Sequence, residues 1–258
     1  MKKNVWSKDG KRTVNMYPES LKEVTFGLNL EYSLKKKYYW TTKQKKKLFS
    51  PTRVINLTAD KSGLAAWRRR VGEKEATRIV ELSVDIGKLM HEYLENSVKK
   101  MTNWRGLNQP PLVGANKREN APFAMELGNI LLEKGLKNKL EEVWGIEDKL
   151  YFAKHFKGVV DLVGMYEGSP SIIDFKQKRS PQKKEYILDY LTQMACYGMA
   201  YNWMYGTSIR QGVLLMVTHQ KKFQRYILRG PEWHQFCLDF IKRLKHCIKE
   251  RDKNGKSS

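Results

Sequence analysis

The stretch Gly158–Ser180, "GVVDLVGMYEGSPSIIDFKQKRS", sets two β-branched runs on either side of Glu-Gly-Ser-Pro. This is the pattern of a β-hairpin, with strands over Gly158–Tyr166 and Ser171–Lys176 and a four-residue turn at Glu167–Pro170. Side chains alternate along a strand, so Asp174 and Lys176 share one face while Ile173 and Phe175 take the other. A four-residue turn pairs Tyr166 with Ser171 and puts Asp161 opposite Lys176, which makes Asp161 and Asp174 diagonal neighbours on the same face. Two carboxylates on a half-buried sheet face repel one another and resist desolvation unless something positive sits between them. Oxygen donors of this kind suit Mg²⁺ or Mn²⁺. A salt bridge at the sheet edge between Lys176 and either acid is the plainer reading of an isolated Asp-x-Lys, and the pattern is compatible with it.

Working outward, "EEVWGIEDKLYF" adds a preceding strand over Val143–Phe152, so an antiparallel meander of three strands is expected. After the hairpin comes a helix over Lys184–Tyr205, then strands over Gly212–Val217 and Phe223–Leu228, then a helix over Glu232–Glu250. Upstream, apolar residues recur at helical spacing through Leu64, Trp67 and Val71 and again through Ile86, Met90 and Leu94. A polar, Pro-containing loop spans Asn103–Pro122, followed by a helix over Phe123–Lys139. The order of elements is α/β, a central mixed sheet flanked by helices with a helical N-terminal portion. Residues 1–49 form a basic N-terminal arm, 50–250 a single domain, and 251–258 a frayed tail.

The chain has 258 residues, and 49 Lys and Arg against 27 Asp and Glu leave it a formal charge of +22. Such an excess calls for a polyanionic partner, with nucleic acid first. No apolar run is long enough to span a bilayer, and no long basic amphipathic stretch suggests a membrane surface. Cys196, Cys237 and Cys247 are odd in number and widely spaced, with no Cys-x-x-Cys pair. They suggest neither a disulfide framework nor a zinc or iron-sulfur site, and they fit a reducing cytoplasm. The start, MKKNVWSKDGK, has no apolar h-region behind its basic residues and carries Asp9, so neither secretion nor an organellar address is expected. In the arm, "LKKKYYWTTKQKKKLF" interleaves aromatics with lysines. It is either a solvated charge run or a strip that neutralises phosphates and offers Tyr38, Tyr39 and Trp40 to stack on unpaired bases.

The pairing of "GVVD" with "IIDFK" resembles the PD-(D/E)xK phosphodiesterases, whose restriction-endonuclease-like sheet presents an acid and then an acid-x-lysine from a hairpin. "GKLMHEYLEN" (Gly87–Asn96) resembles the His-bearing upstream helix of the RecB-like branch, and "QMACY" (Gln193–Tyr197) its Gln-x-x-x-Tyr helix. Within that branch the stretch from Ser50 to Glu250 is most similar to the mitochondrial genome maintenance exonuclease group with its phage and bacterial relatives. The first 50 residues lie outside the likeness.

The resemblance implies that Asp161 and Asp174 ligate a metal, with the main-chain carbonyl of Phe175 as a further ligand and His91 adding an imidazole. Lys176 then orients the attacking water and offsets charge in the transition state. Glu147, fourteen residues before Asp161, matches an acid on the preceding strand, although Asp148 adjoins it. Gln193 and Tyr197 share a helix face and are expected to touch substrate or an active-site residue. Lys178, Arg179, Lys183 and Lys184 follow the lysine and would line the phosphate approach, or else are ordinary surface charge. The expected function is a Mg²⁺- or Mn²⁺-dependent exonuclease with one or two ions and no iron-sulfur cluster. Its substrate would be single-stranded DNA or DNA ends in replication, repair or recombination. A phage-type exonuclease resecting duplex ends and a non-catalytic DNA-binding accessory protein are the alternatives. The expected setting is the cytoplasm of a bacterium or phage-infected cell, with the mitochondrion second.

Overall fold

The computed structural model describes residues 48–102, 119–152 and 155–254. Tyr38, Tyr39, Trp40 and nearly all of the proposed basic arm lie outside the described residues.

Six α-helices and five strands are described. Helix α1 (Pro51–Thr58) starts as "SP" predicts, with Pro51 in the first turn and the Ser50 hydroxyl accepting the Arg53 N–H at 3.2 Å. Helix α2 (Ser62–Val71) is followed by the long α3 (Glu73–Met101), which opens on Glu73 and Glu75 and closes on Lys99 and Lys100. Those charges complement the helix dipole at both ends. Helix α4 (Ala121–Ile130) runs on into a π-helical turn over Leu131–Leu136. Strands β1 (Leu140–Phe152), β2 (Phe156–Tyr166) and β3 (Ser169–Lys178) form the meander. Helix α5 (Leu188–Tyr205) then leads to β4 (Gln211–Thr218), β5 (Phe223–Arg229) and α6 (Gly230–Asn254). Helix α6 therefore extends beyond residue 250, where the frayed tail was expected to begin.

The sheet runs β1-β2-β3-β4-β5 and is mixed: β3 and β4 are parallel and the other neighbours antiparallel. Parallel neighbours need a crossover, and α5 supplies it. Because β4 is covered on both faces, every residue from Gln211 to Thr218 is buried. One face packs Val163, Ile172, Leu214 and Met216 against α5 and α6 residues such as Leu191, Met194, Phe240 and Leu244. The other packs Leu162, Ile173, Phe175, Val213, Leu215 and Val217 against Ile86, Leu89, Met90 and Leu94 of α3 and Leu127 of α4. The expected α/β architecture, a mixed sheet between helices, is what the chain adopts.

The hairpin differs from expectation in register. Tyr166 pairs with Ser169 and Leu162 with Ile173, so the turn holds two residues, Glu167 and Gly168, both with positive φ (45° and 73°). Two-residue turns of this handedness match the right-handed twist of the strands. Pro170, which reads as a turn residue, sits inside β3 instead. The pairing of β3 with β4 begins only at Ser171, so Pro170 lies outside the β3–β4 ladder and needs no N–H for it. The shorter turn moves Asp161 from opposite Lys176 to the position opposite Asp174, just past the last ladder pair. Near the other end of the meander Gly164 is required by close approach: a Cβ there would stand 1.9 Å from the Glu142 carbonyl oxygen.

Candidate active site

Where the β2–β3 ladder ends beyond Leu162 and Ile173, side chains take over the backbone's hydrogen-bonding groups. The Phe175 N–H donates to the Asp161 carboxylate at 3.0 Å. The Phe175 carbonyl accepts from Lys176 Nζ at 3.2 Å and lies 2.9 Å from His91 Nε2, which must be the donor because a carbonyl only accepts. His91 Nδ1 then faces Asp161 Oδ2 at 3.5 Å. That nitrogen either holds a proton toward the carboxylate or offers its lone pair to a cation.

Glu147 completes a group with His91 and Asp161 in which one ligand atom from each lies within 4.8 Å of the others. Its own backbone is unusual: φ is 48° in the middle of β1, between the paired residues Ile146 and Asp148. A non-glycine residue in the left-handed region costs on the order of 1–3 kcal/mol and persists only where its surroundings impose it. The kink belongs to the strand segment that carries this carboxylate. A small pocket here is lined by His91, Glu95, Glu147, Asp161 and Phe175, with Leu94, Val98, Ile146 and Leu162 as its apolar wall. Glu95 is ion-paired with Lys99 one turn on.

Burial pushes Glu147 up to about 7, helped by the charges of Asp161 and Glu95. Since the folded value lies above the ordinary 4.5, this group's contribution to stability is fully present below about pH 4.5 and is lost as pH rises through 7. Glu147→Gln carries no such charge. In chelator its melting temperature is expected to exceed that of the native protein above pH 7, with the difference closing toward pH 4.5, as read by thermal unfolding at a series of pH values.

Asp174 and Lys176 form a neighbouring pair, with Nζ and Oδ2 at 2.5 Å and the aspartate side chain only 3% exposed. Burial drives Asp174 above its ordinary value, and Lys176 draws it part of the way back. For Lys176, burial favours the neutral amine, but Asp174 and Asp161 outweigh it and hold the ammonium. The Tyr190 ring lies beneath two ammonium groups, Lys176 at 5.4 Å and Lys178 at 4.9 Å.

Of the expected site residues, His91, Glu147, Asp161, Asp174, Phe175 and Lys176 are brought together. The Phe175 carbonyl already serves two donors, so as a metal ligand it would have to release one. Gln193 and Tyr197 are joined to each other, the amide donating to the Tyr197 hydroxyl at 3.0 Å and to Thr52 of α1 at 3.1 Å. Tyr197 is buried, and its ring fits because residue 158 is glycine: a Cβ there would stand 2.7 Å from it. Burial raises its hydroxyl, and the charges of Asp174 and Asp161 add to the shift. Among the basic residues, Lys184 is ion-paired with Glu232 at 2.5 Å, while Arg179 and Lys183 are exposed and Lys178 lies over Tyr190. Lys99 and Gln177 were not singled out from the sequence. Only Lys99 left a trace there, four residues after Glu95 on a helix that carries His91.

Among the described residues no helix is long and apolar enough to cross a membrane. A search of curated protein sequences returned no match. Among solved structures, a candidate exonuclease from Eubacterium rectale is similar at 14% identity and a TM-score of 0.51, over 87% of this chain and 88% of that one. The protein SSO0001 aligns at 12% identity and a TM-score of 0.37, over 89% of this chain and 85% of its own. The first likeness is one of fold. A sequence profile of the PD-(D/E)XK nuclease superfamily matches residues 48–251. Over that span, which holds both the sheet and the acid and lysine cluster, the chain belongs to the PD-(D/E)XK nuclease superfamily, hydrolases of nucleic acid that use divalent metal ions.

Proposed function

We propose that this nuclease is a Mg²⁺- or Mn²⁺-dependent DNA exonuclease of the RecB-like branch, acting on single-stranded DNA or DNA ends in replication, repair or recombination. The observation that carries the reading is the seating of His91, Glu147 and Asp161 within 4.8 Å of one another, beside the buried Asp174–Lys176 pair. Two carboxylates and an imidazole make a donor set that fits a hard divalent cation. Glu147 is pushed up mainly by burial and further by the charges of Asp161 and Glu95, and a bound cation would offset both. The exonuclease and DNA parts rest on the likeness of the His91 helix, the hairpin and the Gln193–Tyr197 helix to that branch.

In this reading His91, Glu147 and Asp161 would hold the ion, with Asp174, ion-paired to Lys176, beside them as a further candidate ligand. A bound ion neutralises phosphate charge and acidifies water. Lys176 stays an ammonium, so it orients the attacking water and offsets charge gathering on the phosphate, and does not take the proton itself. Gln193 and Tyr197 brace the wall beside Asp161 and Asp174. Lys178, Arg179 and Lys183 guide the strand, with Tyr38, Tyr39 and Trp40 as stacking surfaces for its bases. The three cysteines are free and buried, which supports a reducing interior such as the bacterial or phage-infected cytoplasm.

Digestion of 5′- and 3′-end-labelled oligonucleotides tests this. Metal-dependent shortening of linear single strands, abolished by chelator and absent on circles, is the expected result. Attack on blunt duplexes alone would point to a duplex-resecting recombination exonuclease, and cutting of circles would remove the exonuclease assignment. Binding without cleavage would favour the accessory-protein reading. Binding to single strands should weaken by roughly 0.7 log unit per tenfold salt for each phosphate neutralised.

A further inference from the structure

The contact of α3 with the sheet is mostly apolar: Ile86, Leu89, Met90 and Leu94 rest on Ile146, Leu162, Ile173 and Phe175. Apolar contact is not directional, so by itself it leaves the helix's position along its own axis weakly determined. Polar contacts to β3 supply that position. One is His91 with the Phe175 carbonyl, at 2.9 Å. The other is Gln177, two residues further along β3 and so on the same face. Its amide nitrogen donates to both the carbonyl and the hydroxyl of Ser83, at 2.8 and 2.9 Å.

Ser83, Gly87 and His91 are spaced by four and line one stripe of α3. Gly87 sits between the other two on this stripe, where even a Cβ would be 3.8 Å from the Gln177 amide nitrogen, an ordinary van der Waals distance. The other end of Gln177 is also held. Its amide oxygen accepts from His219 Nε2 at 2.6 Å. His219 is itself pinned, its main-chain N–H donating to the Lys178 carbonyl at 2.8 Å and its ring set edge-on to Phe123 at 5.4 Å. A side chain with both ends engaged between a helix and a turn sets a distance between them. The helix it holds is the one that presents His91.

We propose that Gln177 is a positioning residue that sets α3 on β3 so that His91 meets Asp161 and Glu147, and thereby tunes affinity for the divalent cation. This rests on the reading of His91 as a ligand. Partners that orient a metal ligand are worth roughly 10- to 100-fold in metal affinity.

The test is calorimetric titration of Mn²⁺ into the native protein, Gln177→Leu, His91→Ala and the double variant, with thermal unfolding of each. Gln177→Leu should weaken Mn²⁺ binding about tenfold, and its cleavage deficit should be overcome by excess Mn²⁺. In the His91→Ala background the same change should add less than about twofold, because the ligand it positions is already gone. His219→Phe keeps the ring on Phe123 but loses the donor to Gln177. It should show a smaller loss that also disappears without His91, and it serves if the leucine variant does not fold. Unchanged Mn²⁺ affinity in Gln177→Leu, or losses that multiply with those of His91→Ala, would overturn the proposal. No Mn²⁺ binding by the native protein, or none lost in His91→Ala, would instead remove the ligand reading on which it stands.

Discussion

Lys176→Met is expected to lower kcat for metal-dependent cleavage by roughly a thousandfold while leaving nucleic-acid binding nearly intact. Removing a single preorganised charge from a transition state typically costs 10²- to 10³-fold, and here the same side chain also orients the water. Binding is spared because the lysine is one of 49 basic residues. The substitution has a second effect that only the burial of its partner reveals. Asp174 is 2% exposed and its ion pair is with Lys176, so the variant leaves a buried carboxylate without its cation. Breaking a buried pair from one side is destabilising by about 3–5 kcal/mol. The loss should shrink as pH falls, because Asp174 already lies above its ordinary value and loses the neighbour that draws it down. Single-turnover cleavage, strand binding and unfolding curves at neutral and acid pH separate the two effects. Full cleavage by Lys176→Met would exclude the lysine from the chemistry, and full stability at neutral pH would show that Asp174 finds another partner.

Asp161→Asn is expected to abolish detectable Mn²⁺ binding and cleavage together, a loss of about a hundredfold or more in affinity. The amide keeps an oxygen that can accept the Phe175 N–H, so the β2–β3 junction should survive and the change is mainly one of charge. Asp161 is the group that every other member of the cluster feels. It faces His91, raises Glu147 and Asp174, and helps hold Lys176 charged. In chelator the variant should therefore be more stable than the native protein above pH 7, where Glu147 is ionised beside it. Calorimetry and pH-dependent melting read the two outcomes. Retained Mn²⁺ affinity would move the ion away from Asp161, whereas lost affinity without the gain in stability would mean that the carboxylates do not repel as their spacing implies.

Much of this site was readable in the chain itself. Alternation along "IIDFKQK" placed Asp174 and Lys176 on one face, and helical spacing put His91 on the helix whose Met90 and Leu94 enter the core. The register of the hairpin was not, because Pro170 looks like a turn residue and only the missing β4 neighbour at that point makes it acceptable in a strand. The partnership of Lys184 with Glu232 and the double engagement of the Phe175 carbonyl were equally hidden, since each joins residues or orientations that no local pattern relates.

The residue pattern alone decided the order of helices and strands, the hairpin and the identity of its charged residues. Those features follow from periodicity and turn chemistry within about ten residues of chain. Packing decided the rest: which acids meet, the left-handed backbone at Glu147, the displaced carboxylates and the Gln177 link between α3 and the turn after β4. These depend on desolvation and on side chains far apart in sequence, and neither exists until the sheet and its covering helices close around them.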